Sequence, residues 1–464
     1  METQSVLKRH FDRRLLPDIF SLAWPTMFDQ LLGTAVQYID MMMVGTLGTM
    51  ATAAVGSTTT VSWLVGGVVN AIGVGFLAYI SQAIGAEEKD RAARASSQAV
   101  TMTLIVGLLA TAVTLLVSGN VPKWMHVAEE VRETAAWYFR ILYAPMLFRA
   151  MSMIFGTVLR AAGDAKTPMR AGVAMNICNV ILNALLIYPT RVWHGILLPG
   201  AGWGVLGAAA ASAVSFVLGG TIMAVVLWRH PSISPRGGRF RPDSTILKPC
   251  LKVAMPNMLQ RFCTSLGYVV FASMINALGS ISTAAHTIAN TVESFFYVPG
   301  FGMMTAAATL VGNAIGAKDK DRVRRLSGTI TVVEIGLMIV SGGLLFAFAP
   351  ALVGLFSKDP EVIRLGSRVL RMVALSEPFY GATIVTEGML MGAGQTTAPF
   401  IFNTSCMWLI RIVGTLICTR FLGYGLVSAW ACMIAHNMAL LIIYRLYYHF
   451  GRWNPMEKNK AAAG

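Results

Sequence analysis

Ala83-Ile84-Gly85-Ala86-Glu87-Glu88-Lys89-Asp90-Arg91 closes one apolar run and opens the next, and 231 residues later Ala314-Ile315-Gly316-Ala317-Lys318-Asp319-Lys320-Asp321-Arg322 does the same. The offset holds elsewhere. Pro25 falls on Pro256, Leu47-Gly48 on Leu278-Gly279, and Leu159, Gly163 and Pro168 on Leu390, Gly394 and Pro399. One register kept from Pro25 to Pro168 marks a duplicated chain whose two copies share one architecture. Further on, Gly202-Trp203-Gly204 pairs with Gly423-Tyr424-Gly425 at an offset of 221, so a ten-residue excess sits around Arg191 to Gly200 in the first copy.

The runs flanking these landmarks are membrane spans. Of 464 residues, 55% are apolar and only 13% charged, too few to cover a water-soluble globule. Apolar stretches of about 20 residues, enough to cross roughly 30 Å of hydrocarbon as helix, follow one another from Leu15 to Tyr448. Twelve are read, from 17–46 to 425–448, the fourth at 135–159 and the tenth at 367–391. They are continuously apolar and do not alternate, which excludes a β-barrel and leaves helices to satisfy the backbone in lipid. Six spans per copy is an even number, so both copies enter from the same side as parallel repeats. The expected fold is an all-α membrane protein, twelve helices in two six-helix lobes around a central cleft. Its lobes are 1–228 and 250–464, joined by a polar, Pro- and Arg-containing cytoplasmic linker at 229–249. No cleavable signal precedes the first span.

The net charge of +15 reads as topology and not as nucleic-acid binding. With both termini on one side, about 25 of the 37 Lys and Arg collect there against about eight on the other, which orients the termini to the cytoplasm of an inner membrane. The richest segments are Lys8–Arg14, Lys89–Arg94, Arg229–Lys252 and Lys318–Arg325. The six cysteines show no CxxC spacing, and the seven histidines no HExxH or clustered pattern, so neither a transition metal nor another cofactor is expected. No loop carries a P-loop, which leaves an ion gradient as the driving force of any transport.

Two copies need similar packing, so a polar residue in one that is apolar in the other is a candidate for function. Asp40 is such a residue, because Phe271 stands in its place in the second copy. A carboxylate in a transmembrane helix costs about 2.5 to 3.5 kcal/mol on insertion scales, so it needs a partner, a proton or hydration at the helix end. Asn176, Asn179 and Asn183 fall against Met407, Ile410 and Gly414, and spacings of three and seven put them on one helical face. Asp40 and these amides suit a proton in a hydrogen-bonded pocket or a hard cation such as Na+; the asparagines equally suit interhelical hydrogen bonding. Gln37, one turn before Asp40, extends the set. Pro25 and Pro256, inside the first helix of each copy, are candidate hinges. Asp29, Glu293, Glu377 and Glu387 are candidate pathway acids, with pairing to Arg261 or Arg411 as the alternative for the glutamates.

Taken together, Pro25 with Asp40-Met41-Met42-Met43-Val44-Gly45, Ser81-Gln82-Ala83-Ile84-Gly85-Ala86, Leu159-Arg160-Ala161-Ala162-Gly163-Asp164-Ala165-Lys166-Thr167-Pro168 and Val311-Gly312-Asn313-Ala314-Ile315-Gly316-Ala317 resemble the multidrug and toxic compound extrusion (MATE) transporters from about Leu15 to Tyr448. The resemblance implies efflux of small cationic, amphipathic compounds in exchange for H+ or Na+ by alternating access, in a lipid-embedded monomer with no enzymatic activity. It carries the family's first-lobe cation site onto Asp40, Asn179 and Asn183. Asn183 stands where DinF-like members usually have aspartate and resembles the NorM branch, yet Cys263 and Tyr380 occupy the places of the NorM second-lobe acid pair. The same superfamily architecture supports a second reading, a flippase for lipid-linked oligosaccharides, which needs a wide cationic cavity. Intramembrane arginines are few: Arg140, Arg149, Arg261 and Arg411.

Overall fold

A computed structural model describes residues 11–125, 127–193, 196–451 and 453–456. Residues 1–10, part of the basic segment Lys8–Arg14, lie outside the described residues. In the first copy the helices are α1 (Leu16–Gly45), α2 (Thr49–Gly85), α3 (Lys89–Val117), α4 (Glu129–Tyr143), α5 (Met146–Ala161), α6 (Lys166–Leu186) and α7 (Gly204–Arg229). The second copy has α8 (Ser244–Asn276), α9 (Ser280–Gly316), α10 (Lys320–Gly354), α11 (Pro360–Ala374), α12 (Glu377–Gly392), α13 (Thr397–Cys406) and α14 (Leu426–Phe450). Beyond α13 the span runs on to Phe421 through wider π-helical turns at Met407–Ile412 and Ile417–Phe421.

The fold is an all-α membrane protein of twelve spans in two six-helix repeats. Among the described residues, nine helices are long and apolar enough to cross a membrane, and the bent pair α4 and α5 makes a tenth. The first and tenth spans fall below that hydropathy because they carry the polar groups that matter below, including Asp29 and Asp40 in α1 and Glu377 and Glu387 in α12. The fourth and tenth spans begin about six residues earlier than their apolar runs, since amphipathic first halves bury one face only. Both break at the same register. Helices α4 and α5 meet at a 47° bend next to Pro145, where a backbone donor is missing.

The duplication is visible in the backbone itself. Left-handed φ values occur at Gly48 (109°) and Gly279 (99°), at Gly163 (91°) and Gly394 (74°), and at the non-glycine pair Glu87 (60°) and Lys318 (58°), each pair 231 residues apart. At Gly163 and Gly394 the positive φ closes a helix: Asp164 N bonds Leu159 O at 3.0 Å and Gln395 N bonds Leu390 O at 2.8 Å. The ten-residue excess is the one β element among the described residues, a hairpin of β1 (Pro189–Trp193) and β2 (Ile196–Ala201), antiparallel with Val192 opposite Leu197.

Two compact units divide the chain: residues 1–27, 81–87 and 252–464 in one, 28–80 and 88–251 in the other. In the second of these, the segment after α7 is bound to α3. Gln98 donates to the carbonyls of Arg239 and Arg241 at 2.9 Å and accepts from Asp243 N at 2.9 Å, while Thr101 Oγ1 donates to Phe240 O at 2.9 Å. The other unit has a continuous core around Phe271, Leu345, Leu370 and Trp430.

Candidate functional site

Asp40 lies in the last two turns of α1, and Asn176, Asn179 and Asn183 share the buried face of α6. The helix phase puts them there because Ile177 and Ile181 occupy the opposite face and are each 54% exposed. Asn183, fully buried, donates from Nδ2 to Asp40 Oδ1 at 2.5 Å. With its amide nitrogen facing Asp40, Asn179 donates to both carboxylate oxygens at 2.8 and 3.2 Å, and its Oδ1 accepts from Ser212 Oγ at 3.2 Å. That orientation satisfies both ends of the amide. Ser212, on α7, completes the contact, and the same repeat comparison identifies it, since Met433 stands at offset 221.

One carboxylate thus collects two amide donors inside a single unit. Asn183 Oδ1 is buried without a hydrogen-bond partner. An orphaned amide oxygen beside a carboxylate fits a proton donor or a hard cation, both of which seek oxygen. Asn176 is buried, 8% exposed, but makes no hydrogen bond to this group. Gln37 is exposed, and among the described residues no hydrogen bond joins it to Asp40. Pro25 and Pro256 lie within the continuous helices α1 and α8, and Thr26 beside Pro25 donates its hydroxyl to Leu22 O at 2.9 Å.

Asp29 is separate from this group. It accepts from Arg160 Nη2 at 2.8 Å, and α6 approaches it at Gly172, where a Cβ would stand 2.1 Å from the carboxylate. Arg160 belongs to the Leu159–Pro168 motif, so part of that motif neutralises a half-buried acid. In the second copy Glu387 accepts from Gln260 Nε2 at 2.8 Å and from Asn403 Nδ2 at 3.3 Å, and Tyr444 Oη lies 3.4 Å away. The pairing with Arg261 or Arg411 is not formed: among the described residues neither makes an ion pair with the glutamates. Arg411 lies over the rings of Phe271 (4.2 Å) and Tyr268 (4.9 Å), faces that attract a cation, while its charge still acts on the Glu293 carboxyl from beyond ion-pair contact.

Glu293 and Glu377 are buried, and a third acid joins them that was not singled out from sequence. Glu334 on α10 is fully buried, with neither carboxyl oxygen hydrogen bonded. Its Oε1 lies 2.8 Å from where a Cβ would sit on Gly300 and 3.0 Å from that of Gly381, so two glycines on neighbouring helices make its space. Thr103 in the equivalent place of the first copy is the signal that would have found it. No group of three or more His, Cys, Asp or Glu among the described residues is arranged to hold a metal.

A family model described as MatE matches the chain twice, at residues 25–185 and 256–417. The probable multidrug resistance protein NorM of Thermotoga maritima is 26% identical over 453 residues, covering 97% of this chain and 96% of its own. The probable multidrug resistance protein YoeA of Bacillus subtilis is 24% identical over 438 residues, 92% of each. A solved structure, described as the outward-facing conformation of a multidrug resistance MATE family transporter of the MOP superfamily, is alike in fold with a TM-score of 0.88 over 95% of this chain and 96% of that one, at 24% identity.

Proposed function

The chain belongs to the MatE family, and from that premise we propose that it is a secondary antiporter exporting cationic, amphipathic compounds in exchange for H+ or Na+. The carrying observation is the Asp40 carboxylate held by Asn179 and Asn183, with the Asn183 oxygen beside it lacking a donor. An acid in that setting changes its hydrogen-bonding demand when it gains or loses a cation, and the amides it releases are free to rearrange. Lobes 1–228 and 250–464, joined through 229–249, are the alternating bodies of this reading, and Pro25 and Pro256 its hinges. The protein acts as a monomer in the inner membrane with both termini cytoplasmic. Asp29, Glu293, Glu377 and Glu387 serve as acids along the path, with Asp29 already neutralised by Arg160.

The test is transport of a fluorescent organic cation by purified protein in liposomes, with pH and Na+ gradients imposed separately. One gradient should drive uptake and the other should not, and Asp40→Asn should abolish the driven component. Gradient-driven transport that survives Asp40→Asn would remove Asp40 from the coupling step. Movement of a lipid-linked sugar with no response to either gradient would favour the flippase.

A further inference from the structure

Arg364, Arg368 and Arg371 stand four and three residues apart on α11, hence on one face, and all three are exposed. The opposite face of α11 is packed, with Val362, Val369, Leu370 and Val373 buried. Beside the arginine face runs α10, which presents Phe346 and Pro350 one turn apart. Between the two helices lies a groove of about 540 Å³, its walls completed by Ile363, Met372 and Leu375. Phe346 is 43% and Leu375 68% exposed, so the body of the groove is apolar and open while its rim carries guanidinium groups.

Two of those three charges lack a carboxylate partner among the described residues. Arg364 pairs with Glu361 at 2.7 Å, but among the described residues no carboxylate pairs with Arg368 or Arg371. Arg371 lies 5.6 Å from the Phe346 ring, and its Nε is 3.4 Å from Phe346 O. The first copy shows what a self-contained version looks like. There Glu133, Trp137 and Arg140 occupy the equivalent places; Arg140 lies 5.0 Å over the Trp137 ring and donates to Ser118 Oγ at 2.9 Å. Ala349 replaces Ser118 in the second copy and Arg368 replaces Trp137, so Arg371 has lost both partners. The distribution of charge along the chain points the same way. The charge count puts this end of the spans on the side opposite the termini, the side with about eight basic residues. Four of them, Lys358, Arg364, Arg368 and Arg371, fall within fourteen residues. A topology signal does not place them there.

We propose that the groove between α10 and α11 binds an anionic phospholipid, its phosphate held by Arg368 and Arg371 and an acyl chain lying along Phe346, Pro350 and Leu375. Guanidinium forks match phosphate oxygens in pairs, and the apolar wall beside them matches an acyl chain. A soluble phosphate would meet the charges but leave the apolar wall unused, which is why the occupant is a lipid.

The experiment uses the full-length protein in detergent, with bound lipid read by native mass spectrometry and melting temperature followed in parallel. Phosphatidylglycerol should bind and raise the melting temperature, phosphatidylcholine of the same chains should bind more weakly, and inorganic phosphate should do nothing. Arg368→Gln with Arg371→Gln should weaken phosphatidylglycerol binding by about thirtyfold, from roughly a kcal/mol per basic residue at a membrane surface. Leu375→Glu, at a position 68% exposed, should weaken it as well and guards against a double variant that fails to fold. Unchanged phosphatidylglycerol binding in either variant, or the same stabilisation from inorganic phosphate alone, overturns the proposal.

Discussion

Where the first copy places Asp40 with Asn179 and Asn183, the second places Phe271 with Ile410 and Gly414, and over the Phe271 ring lies Arg411. One framework therefore holds an acid among amides in one half and a cation on aromatic faces in the other. A second contrast repeats the point lower in the same helices. Asp29 and Arg160 join the first and fourth spans of the first copy by an ion pair, while Gln260, at the position of Asp29, joins the seventh span to Glu387 on the tenth by a neutral donor. The backbone of the repeat is kept, down to matching left-handed residues, and the polar chemistry is not. Packing demands are alike in both halves, so they preserve helix lengths and turns. Asp40 is held by amides, Asp29 by Arg160 and Glu387 by Gln260 and Asn403, so each half places its polar groups by its own local contacts.

Substitutions that make one half resemble the other test this contrast. The largest effect is expected from Asp40→Asn, which should reduce gradient-driven export in liposomes to the level of protein-free vesicles; partial export would mean that the second half shares the coupling. Next, Arg160→Met, the residue of the second copy, strands the Asp29 carboxylate and should cost up to about 3 kcal/mol of stability, the lower end for a broken buried pair because both groups keep some solvent contact. Adding Asp29→Gln should recover most of the lost melting temperature, and no recovery would deny that the two residues act as a pair. Asn183→Gly, again the second-copy residue, removes a hydrogen bond to a carboxylate and should weaken coupling-ion affinity about tenfold, from roughly 1.5 kcal/mol. Asn176→Ala should leave that affinity within about twofold, since its amide lies outside the bonded group. On stability, Gly163→Ala and Gly394→Ala should each cost about 1 kcal/mol because φ is positive there, and similar losses in the two halves would show that the turns are equivalent.

Much of this was legible before any coordinates. Asp40, Asn179 and Asn183 stood out against their apolar counterparts, and they meet in the fold. Ser212 and Glu334 carried the same signal, visible against Met433 and Thr103 once every polar position is compared in both directions. Gln37 shares the Asp40 face of α1 one turn away, yet it is exposed and forms no hydrogen bond to Asp40 among the described residues. Charge alone matches the glutamates to arginines, but in the fold Glu387 meets amide donors, and Arg411 lies on rings while its charge reaches Glu293 without a close ion pair.

The spans, the duplication and the asymmetry between the halves are all written in the order of residues along the chain. Lipid leaves a long apolar run no option but helix, and a copied register exposes every place where the copies disagree. Which charges are paired follows from how the helices pack. Asp29 and Arg160 are 131 residues apart, and the room for Glu334 comes from glycines on two other helices. Those outcomes depend on which helices become neighbours and how far each side chain reaches, quantities that no single span encodes.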